Sequence, residues 1–341
     1  MTRKSRKRLF WLSTALFLLV SPPIILYTTG WRITEDFKIK RTGGLFVAVP
    51  ESGTDVYLNG KLEKKTNFFQ SGVFIQNLTP GIHSVLVAKS GFWPWIKSMP
   101  VIEQSVVEAR ALMVPQNIDG ETVLKGSYEV VLGSSKHPLL LLQEKKKSQY
   151  VISFYLPTSD AFLKASSEKT RRLLSNPKPL RTVSWNKEGG LLLFDNQTIL
   201  VSFDLSRGRV HAKATTSVPE ELLPTLPHRI AFDERARARA WHGDSREIWV
   251  EWLRDGPLPY YFKVKKEMIF HTRSEIKNIS FYPGRDDVIL LAIENGVFAL
   301  EIDGRGTRNF QPIYKGKDPT FARLDDAIYI LDQGVLSKIE L

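Results

Sequence analysis

Six histidines, at positions 83, 137, 211, 228, 242 and 271, are the side chains of this 341-residue sequence best suited to acid–base or metal chemistry. None of them forms an H-x-x-x-H or H-E-x-x-H pattern, the spacing that puts two ring nitrogens on one helical face around zinc. His242-Gly243-Asp244 is the nearest pair of metal-type residues, and it reads as a hydrophilic turn. His83 alternates in phase with Val85 and Val87, as a packed strand histidine does. Asp286-Asp287 and Asp325-Asp326 also fall in turns, where aspartate is a routine turn former. A pair of carboxylates able to cut a glycan can be assembled from distant segments, so spacing alone leaves that chemistry open. No P-loop, G-x-G-x-x-G or G-x-S-x-G elbow occurs, and Gly304-Arg305-Gly306 has no helix after it to cradle a phosphate. With no cysteine there is no thiolate nucleophile, no disulfide and no lipid attachment point. No catalytic, metal or cofactor residue is therefore expected.

Two groups of residues are candidates for binding. Trp93 and Trp95 flank Pro94, which cannot join a central sheet ladder, so at least one indole is a candidate for an exposed contact with a sugar ring, a lipid surface or a protein; core packing is the plainer alternative. Arg235, Arg237 and Arg239 alternate as on a strand and would point three cations to one face. That face is either solvated or a site for an anionic envelope polymer.

The elements that carry these residues begin with an anchor. Arg3, Lys4, Arg6, Lys7 and Arg8 precede Leu9–Trp31, a stretch of 23 residues without a charge. About 20 such residues span a bilayer as a helix. Trp11, Tyr27 and Trp31 stand near its ends, at the headgroup levels that amphipathic aromatics favour. Pro22-Pro23 would kink the helix or end its regular part. The basic flank keeps residues 1–8 in the cytoplasm and puts everything after Trp31 outside. A cleaved signal peptide is the competing reading, but YTTGW after Leu26 offers no A-x-A-like site. Residues 1–41 carry nine basic and two acidic side chains, a net of +7, so the other 300 hold only +5 of the total +12. Nucleic acid is thus an unlikely partner for a chain whose basicity is mostly a topological signal. Eight cytoplasmic residues leave no room for an output domain, which argues against a sensor.

After a linker at 32–42, residues 43–115 read as short strands: LFVAV (45–49), DVYLNG (55–60) with an Asn59-Gly60 hairpin turn, GVFIQNL (72–78), IHSVLVAKSG (82–91) and VVEARALMV (106–114). Strands this short in so few residues make a small β-sandwich with one core. The unit resembles the PEGA domain, a bacterial and archaeal surface module. Pro50-Glu51-Ser52-Gly53 stands at its Pro-Glu-Gly-Ala signature, followed by Val56, Leu58 and Asn59-Gly60. Leu78, Pro80-Gly81, His83, Val85, Val87 and Gly91-Phe92 continue the match. Lys64-Lys65-Thr66-Asn67 replaces the family's Gly-x-Thr-Pro, and the loop after it is longer and more aromatic. The resemblance implies a cell-envelope role and no known catalytic activity.

Residues 120–341 repeat. RTVSW, LLLF and TILVSFDL fall in 181–205; RARAW, IWVEW and YYFKVK in 236–265; KNISF, VILLA and VFALEID in 277–303; DPTFA, AIYIL and VLSKIEL in 318–341. A less regular copy, HPLLLL and YVISFYL, occupies 137–156. Trp185, Trp241, Phe281 and Phe321 recur at spacings of 56, 40 and 40 residues. Middle strands apolar on both faces suit sheets packed between neighbours, and the period is that of propeller blades. The pattern resembles the general blade of WD-type and TolB-type propellers, without the GH…WD signature. About five blades are expected, six if 116–136 adds strands, with the strand at Tyr128–Leu132 pairing with the last blade to close the ring; an open solenoid is the alternative. Helices are expected only at 161–174 and 219–223.

The sequence thus predicts a mainly β, single-pass membrane protein with extracytoplasmic domains. Its expected function is non-catalytic binding or scaffolding in the bacterial envelope, held to the lipid bilayer through residues 9–31 and facing an envelope protein or glycan partner. The alternative is a propeller hydrolase or lyase acting on envelope glycans.

Overall fold

The computed structural model describes residues 3–33, 39–69, 71–134, 136–216, 230–243 and 246–341. The predicted helix at 219–223, His228 and Asp244 lie outside them. Two compact units are present: Met1–Met113 with Arg305–Thr307, and the remainder from Val114.

In the first unit, helix α1 (Arg3–Thr28) runs through Pro22 and Pro23 rather than stopping there. Its stretch Ser5–Thr28 is long and apolar enough to cross a membrane, and none of that surface is buried against the protein. The carbonyl of Ile25, near the end of the helix, accepts both the Thr29 N–H at 3.0 Å and the Thr29 hydroxyl at 2.8 Å. At the predicted linker, β1 (Trp31–Ile33) and β2 (Ile39–Arg41) pair antiparallel.

Seven strands follow: β3 (Gly43–Ala48), β4 (Asp55–Leu58), β5 (Lys61–Lys65), β6 (Gly72–Leu78), β7 (Gly81–Ala88), β8 (Trp95–Val101) and β9 (Val106–Arg110). They make one sheet in the order β6-β3-β9 and another in the order β5-β4-β7-β8. Alternation buries Leu45, Val47, Val73 and Ile75 from the first, and Val56, Leu58, Val85 and Val87 from the second. Leu58 pairs with Lys61 across a two-residue turn. Asn59 and Gly60 both take positive φ there (50° and 82°), as a type I′ turn demands. Thr66 is buried, and its hydroxyl donates to the Glu51 carbonyl and accepts from the Thr54 N–H, tying the Pro50–Gly53 turn to the end of β5.

Strand β8 was not legible in the sequence. Pro94 and Pro100 argue against a strand, but β8 lies at a sheet edge, where proline is tolerated. Its inward row is Trp95, Lys97, Met99 and Val101, and the lysine hides the apolar alternation.

The second unit begins with β10 (Glu121–Lys125), β11 (Tyr128–Gly133), β12 (Leu140–Lys146), β13 (Gln149–Leu156), β14 (Ala161–Phe162) and β15 (Lys164–Ala165). Helix α2 (Glu168–Leu173) and β16 (Ser175–Asn176) come next. The predicted helix over 161–174 is thus confined to its second half, where Ser167 caps the N-terminus by accepting the Thr170 N–H. Then come β17 (Leu180–Trp185), β18 (Gly189–Phe194), β19 (Thr198–Asp204), β20 (Arg209–Thr215), β21 (Ile230–Phe232), β22 (Ala238–His242), β23 (Glu247–Trp252) and β24 (Lys266–His271). The chain ends with β25 (Asn278–Phe281), β26 (Val288–Ile293), β27 (Gly296–Glu301), β28 (Phe310–Lys315), β29 (Thr320–Leu324), β30 (Ala327–Asp332) and β31 (Val335–Glu340).

These strands form five sheets in a propeller-like array: β11–β14 with β16, β17–β20 with β15, β21–β24, β25–β28, and β29–β31 completed by β10. Each regular repeat was predicted with three strands; the structure adds a fourth, such as β20 and β28. In the third repeat, YYFKVK is not the strand, because Tyr261 and Phe262 turn inward and 266–271 pairs with β23 instead.

Apolar layers join neighbouring sheets. Leu139, Leu141 and Phe154 of the first sheet share a core with Val183, Leu192 and Val201 of the second. Ala240, Ile248 and Val250 of the third pack with Ile279, Phe281 and Leu291 of the fourth. Val131, Leu142 and Tyr155 of the first meet Tyr329, Leu331 and Leu336 of the fifth. Asn278 links the fourth to the fifth, donating to the Phe321 carbonyl at 2.6 Å and accepting its N–H at 3.4 Å.

The closing pairing differs from the prediction. Strand β10, not Tyr128–Leu132, pairs with β31, while β11 pairs with β12 in the first sheet. Residues before β12 therefore go to two different sheets. Strand β11 lies so close to β29 that a Cβ on Gly133 would stand 2.2 Å from the Arg323 carbonyl oxygen. Gly133→Val must push two backbones apart. Overpacking of this kind costs about 1–3 kcal/mol, so a lowered thermal midpoint is expected, and a wild-type midpoint would show that this seam tolerates separation.

Candidate functional site

The turns between the first and second strands of successive sheets share one device. Ser134 Oγ accepts the His137 N–H at 3.0 Å in the first sheet. Asn186 Oδ1 accepts the Gly189 N–H at 2.7 Å in the second. Asp233, 4% exposed in the third, accepts the Ala238 N–H at 2.6 Å and the Arg235 N–H at 3.3 Å. A short polar side chain that satisfies turn amides explains why Ser, Asn and Asp occupy this position. His137 Nε2 donates to the Asn186 carbonyl at 2.9 Å, joining two such turns.

In the third to fifth sheets the same turns carry ion pairs. Arg237 bridges Asp233 and Asp286. Arg285 forms a buried two-point pair with Asp287, at 2.6 and 2.8 Å. Burial is the largest single influence and works against its charge, but the Asp287 carboxylate, together with Glu301 and Tyr260, raises its pKa on balance. Glu234 meets Arg323 at 2.5 Å and accepts the Gly284 N–H at 3.2 Å. The Arg323 hydrogen bond, then the Gly284 one, lowers the Glu234 pKa. The Tyr261 hydroxyl is pushed upward by burial and then by Asp286. Carboxylates thus do converge here, but each is paired with an arginine, Arg237 being shared by Asp233 and Asp286, and Glu234 shifts opposite to the direction a glycosidic general acid needs. Among the described residues no cluster of three or more His, Asp or Glu is placed to hold a metal.

A different surface lies on the third sheet. Strand β23 alternates: Ile248, Val250 and Trp252 are buried, while Glu247, Trp249 and Glu251 are half-buried on the other face. Cross-strand register then builds two rows on that face, Trp241–Trp249–Met268 and Arg239–Glu251–Lys266. The two indoles stack at 6.3 Å with planes 16° apart. Lys266 Nζ stands 5.1 and 5.6 Å from their ring centres, and the Arg239 guanidinium 5.3 Å from Trp241. Arg239 is also paired with Glu251 at 2.6 Å, and Trp249 Nε1 donates to Glu247 at 3.0 Å. Strand β19 of the second sheet alternates similarly, with Leu200 and Ser202 exposed. Such a face can stack planar or sugar-like groups and attract anions beside them.

The structure disperses the sequence candidates. Trp95 is 1% exposed and belongs to the core, because β8 begins at that residue and points it inward. Trp93 is half-buried. Arg235, Arg237 and Arg239 do not share a face: Arg235 and Arg237 sit in a turn kinked by Ala236 at φ 48°, and only Arg239 is on a strand. His83 is a packed strand histidine, with Nε2 donating to the Thr79 carbonyl at 2.8 Å and Nδ1 held by Asn59 at 3.0 Å. Trp241, Trp249 and Lys266 were missed as a group. The signal was the charge at Glu251 inside IWVEW, which marks alternation rather than an apolar run.

No family model matches the sequence, and no curated protein does. Among solved structures the chain is similar to Hsv2 of Kluyveromyces lactis, at 8% identity over 73% of this chain and 85% of that one, with a TM-score of 0.31. It is similar also to a gluconolactonase of Xanthomonas campestris, at 10% identity over 77% and 85%, TM-score 0.29. The β-propeller domain of Cps50 (Swd1) from Myceliophteria thermophila gives 10% identity over 76% and 92%, TM-score 0.36. Likeness at this level bears on neither substrate nor partner. The chain's own strand order makes it a mainly β protein with a propeller-like array and an apolar N-terminal helix.

Glu234 offers a test of the turn network. Its folded pKa lies below its ordinary value of 4.5, so its contribution is complete above about that pH and is lost as pH falls through the folded value. The side chain is 54% exposed, so solvent screening keeps the effect small. Thermal melts of wild type and Glu234→Gln are expected to differ at pH 7 and to converge as pH falls through the folded value; a difference that does not shrink on acidification would assign the stability to something other than the charge.

Proposed function

We propose that this chain is a membrane-anchored, extracytoplasmic binding or scaffolding protein of the bacterial cell envelope that does no chemistry of its own. The observation that carries the reading is the Trp241–Trp249 stack with Arg239 and Lys266 beside it. It is a recognition surface without an acid–base pair. The exposed apolar length of α1 supports a spanning helix, and the basic run before it supports a cytoplasmic N-terminus. The resemblance of residues 43–115 to the PEGA domain supports a two-sheet spacer or wall-binding module. The five sheets, with β10 completing the last, support a five-bladed ring that presents the recognition surface. The partner is an envelope glycan or protein. Trp93 and Arg235 remain secondary contact candidates.

Two experiments test this on the full chain. A photo-crosslinking residue at Met268, which lies in the same row as the tryptophans, is expected to form glycan or protein adducts in intact cells. Trp241→Ala with Trp249→Ala should weaken them roughly tenfold, equivalent to about 1.4 kcal/mol, with an unchanged thermal midpoint. Undiminished adducts would remove this face from the reading. Incubated with purified sacculi, the protein is expected to release no soluble glycan fragments; their appearance would establish the hydrolase or lyase alternative.

A further inference from the structure

One end of the small β unit is fastened to the outer end of α1. The Gly30 carbonyl accepts the Thr42 N–H at 2.9 Å and its hydroxyl at 3.1 Å. Gln104 Nε2 donates to the Thr29 carbonyl at 3.2 Å. Arg32 Nε donates to Asn77 Oδ1 at 2.8 Å, and its guanidinium lies 3.6 Å over the Tyr27 ring. Arg41 stands 5.0 Å from the Trp31 ring centre. The start of β3, the end of β6 and the β8–β9 turn are therefore all held at the helix exit. Register brings the β6–β7 turn there too, since Leu78 pairs with Gly43 and Gly81 with Val101.

This same end exposes large aliphatic side chains: Ile39 at 58%, Ile82 at 78% and Ile102 at 59%. Lys40 and Arg41 are exposed among them, together with one carboxylate among the described residues, Glu103. Isoleucines in water gain nothing, but the headgroup–acyl boundary of a bilayer accepts them, and cations beside them attract anionic headgroups. Three side chains alone would bind a membrane weakly. Tethered to a spanning helix they act intramolecularly, at high effective concentration.

We propose that this end of the small unit rests on the outer leaflet beside the helix exit. Ile39, Ile82 and Ile102 enter the headgroup–acyl boundary, and Lys40 and Arg41 face anionic lipid. The unit is then fixed in orientation rather than swinging on residues 32–42. This rests on the reading of α1 as a spanning helix.

The absence of native cysteine makes single-site labelling clean. Full-length Leu18→Cys, Ile82→Cys, Ile102→Cys and Phe68→Cys, each carrying one fluorophore, are reconstituted into phosphatidylcholine vesicles with or without phosphatidylglycerol. Phe68 is 87% exposed and precedes β6, whose other end is the one held at the helix. Labels at 82 and 102 are expected to be quenched by shallow nitroxide lipids and shielded from iodide, more so with phosphatidylglycerol. The label at 68 should be open to iodide, and that at 18 quenched by deep nitroxide lipids. Labels at 82 and 102 that behave like 68, while 18 is lipid-quenched, would overturn the resting contact and leave the helix standing. A label at 18 open to iodide would overturn the spanning helix and the contact together.

Discussion

A strand buried on both faces cannot be stable in a lone sheet, and the larger unit is organised around that constraint. All six residues of β26 are buried. The first four residues of β12 and the central four of β30 are buried as well. Each such sheet exposes two apolar faces unless a neighbour covers both, and a fully buried Leu or Ile side chain contributes about 1.5–3 kcal/mol. Side-by-side sheets are the solution, and they explain why no repeat is self-sufficient. The first and last sheets of a row would each keep an uncovered face. Strand β10 deals with this by joining the start of the unit to its last sheet, and the close approach of Gly133 to Arg323 brings the first sheet against the fifth.

The constraint does not hold for every strand. The apolar layers run from the fifth to the first to the second, and from the third to the fourth, with Asn278 joining the fourth to the fifth. Strands β19 and β23 alternate instead of being buried throughout. Alternation frees every second residue from packing, so polar and aromatic side chains can be placed there without unsatisfied groups. The stacked indoles and the Arg239–Glu251–Lys266 row occupy that freedom. The aromatic face thus lies where the packing rule is broken, not where sequence motifs stand.

Much of the architecture was legible because it follows from period and punctuation. GVFIQNL coincides with β6, Asn59-Gly60 makes its hairpin, and the strands of the second and fourth repeats lie where their apolar runs place them. What stayed hidden obeys no local rule. Strand β8 carries Lys97 in its inward row and Pro100 in its span. The partner of β31 is about 210 residues away in sequence, and only the closure of the array selects β10 over β11. Trp95 was one of two candidates for exposure beside Pro94, yet an edge strand starting one residue later turns it inward. The Arg235–Arg239 alternation resembled a strand, but Asp233 gathers three amides and bends the chain at Ala236.

The fate of the basic residues links fold to function. Beyond the first 41 residues the excess is only +5, and the arginines of the larger unit are mostly spoken for. Arg237 is held by Asp233 and Asp286, Arg239 by Glu251, Arg285 by Asp287, Arg308 by Glu267 and Arg323 by Glu234. Guanidinium forks suit these pairs because they bind carboxylates at two points and join separate strands and turns. Paired in this way they stiffen the turns and present little net field, so a polyanion would find few unneutralised cations along them. Lys266 differs: it is exposed, and it stands over two aromatic faces as well as beside Glu251. A compact, mobile ammonium beside a flat apolar surface discriminates by shape and stacking first and by charge second. In the proposed binding role, that order of preference favours a neutral or weakly anionic ligand with a planar or sugar-like face over a charged polymer.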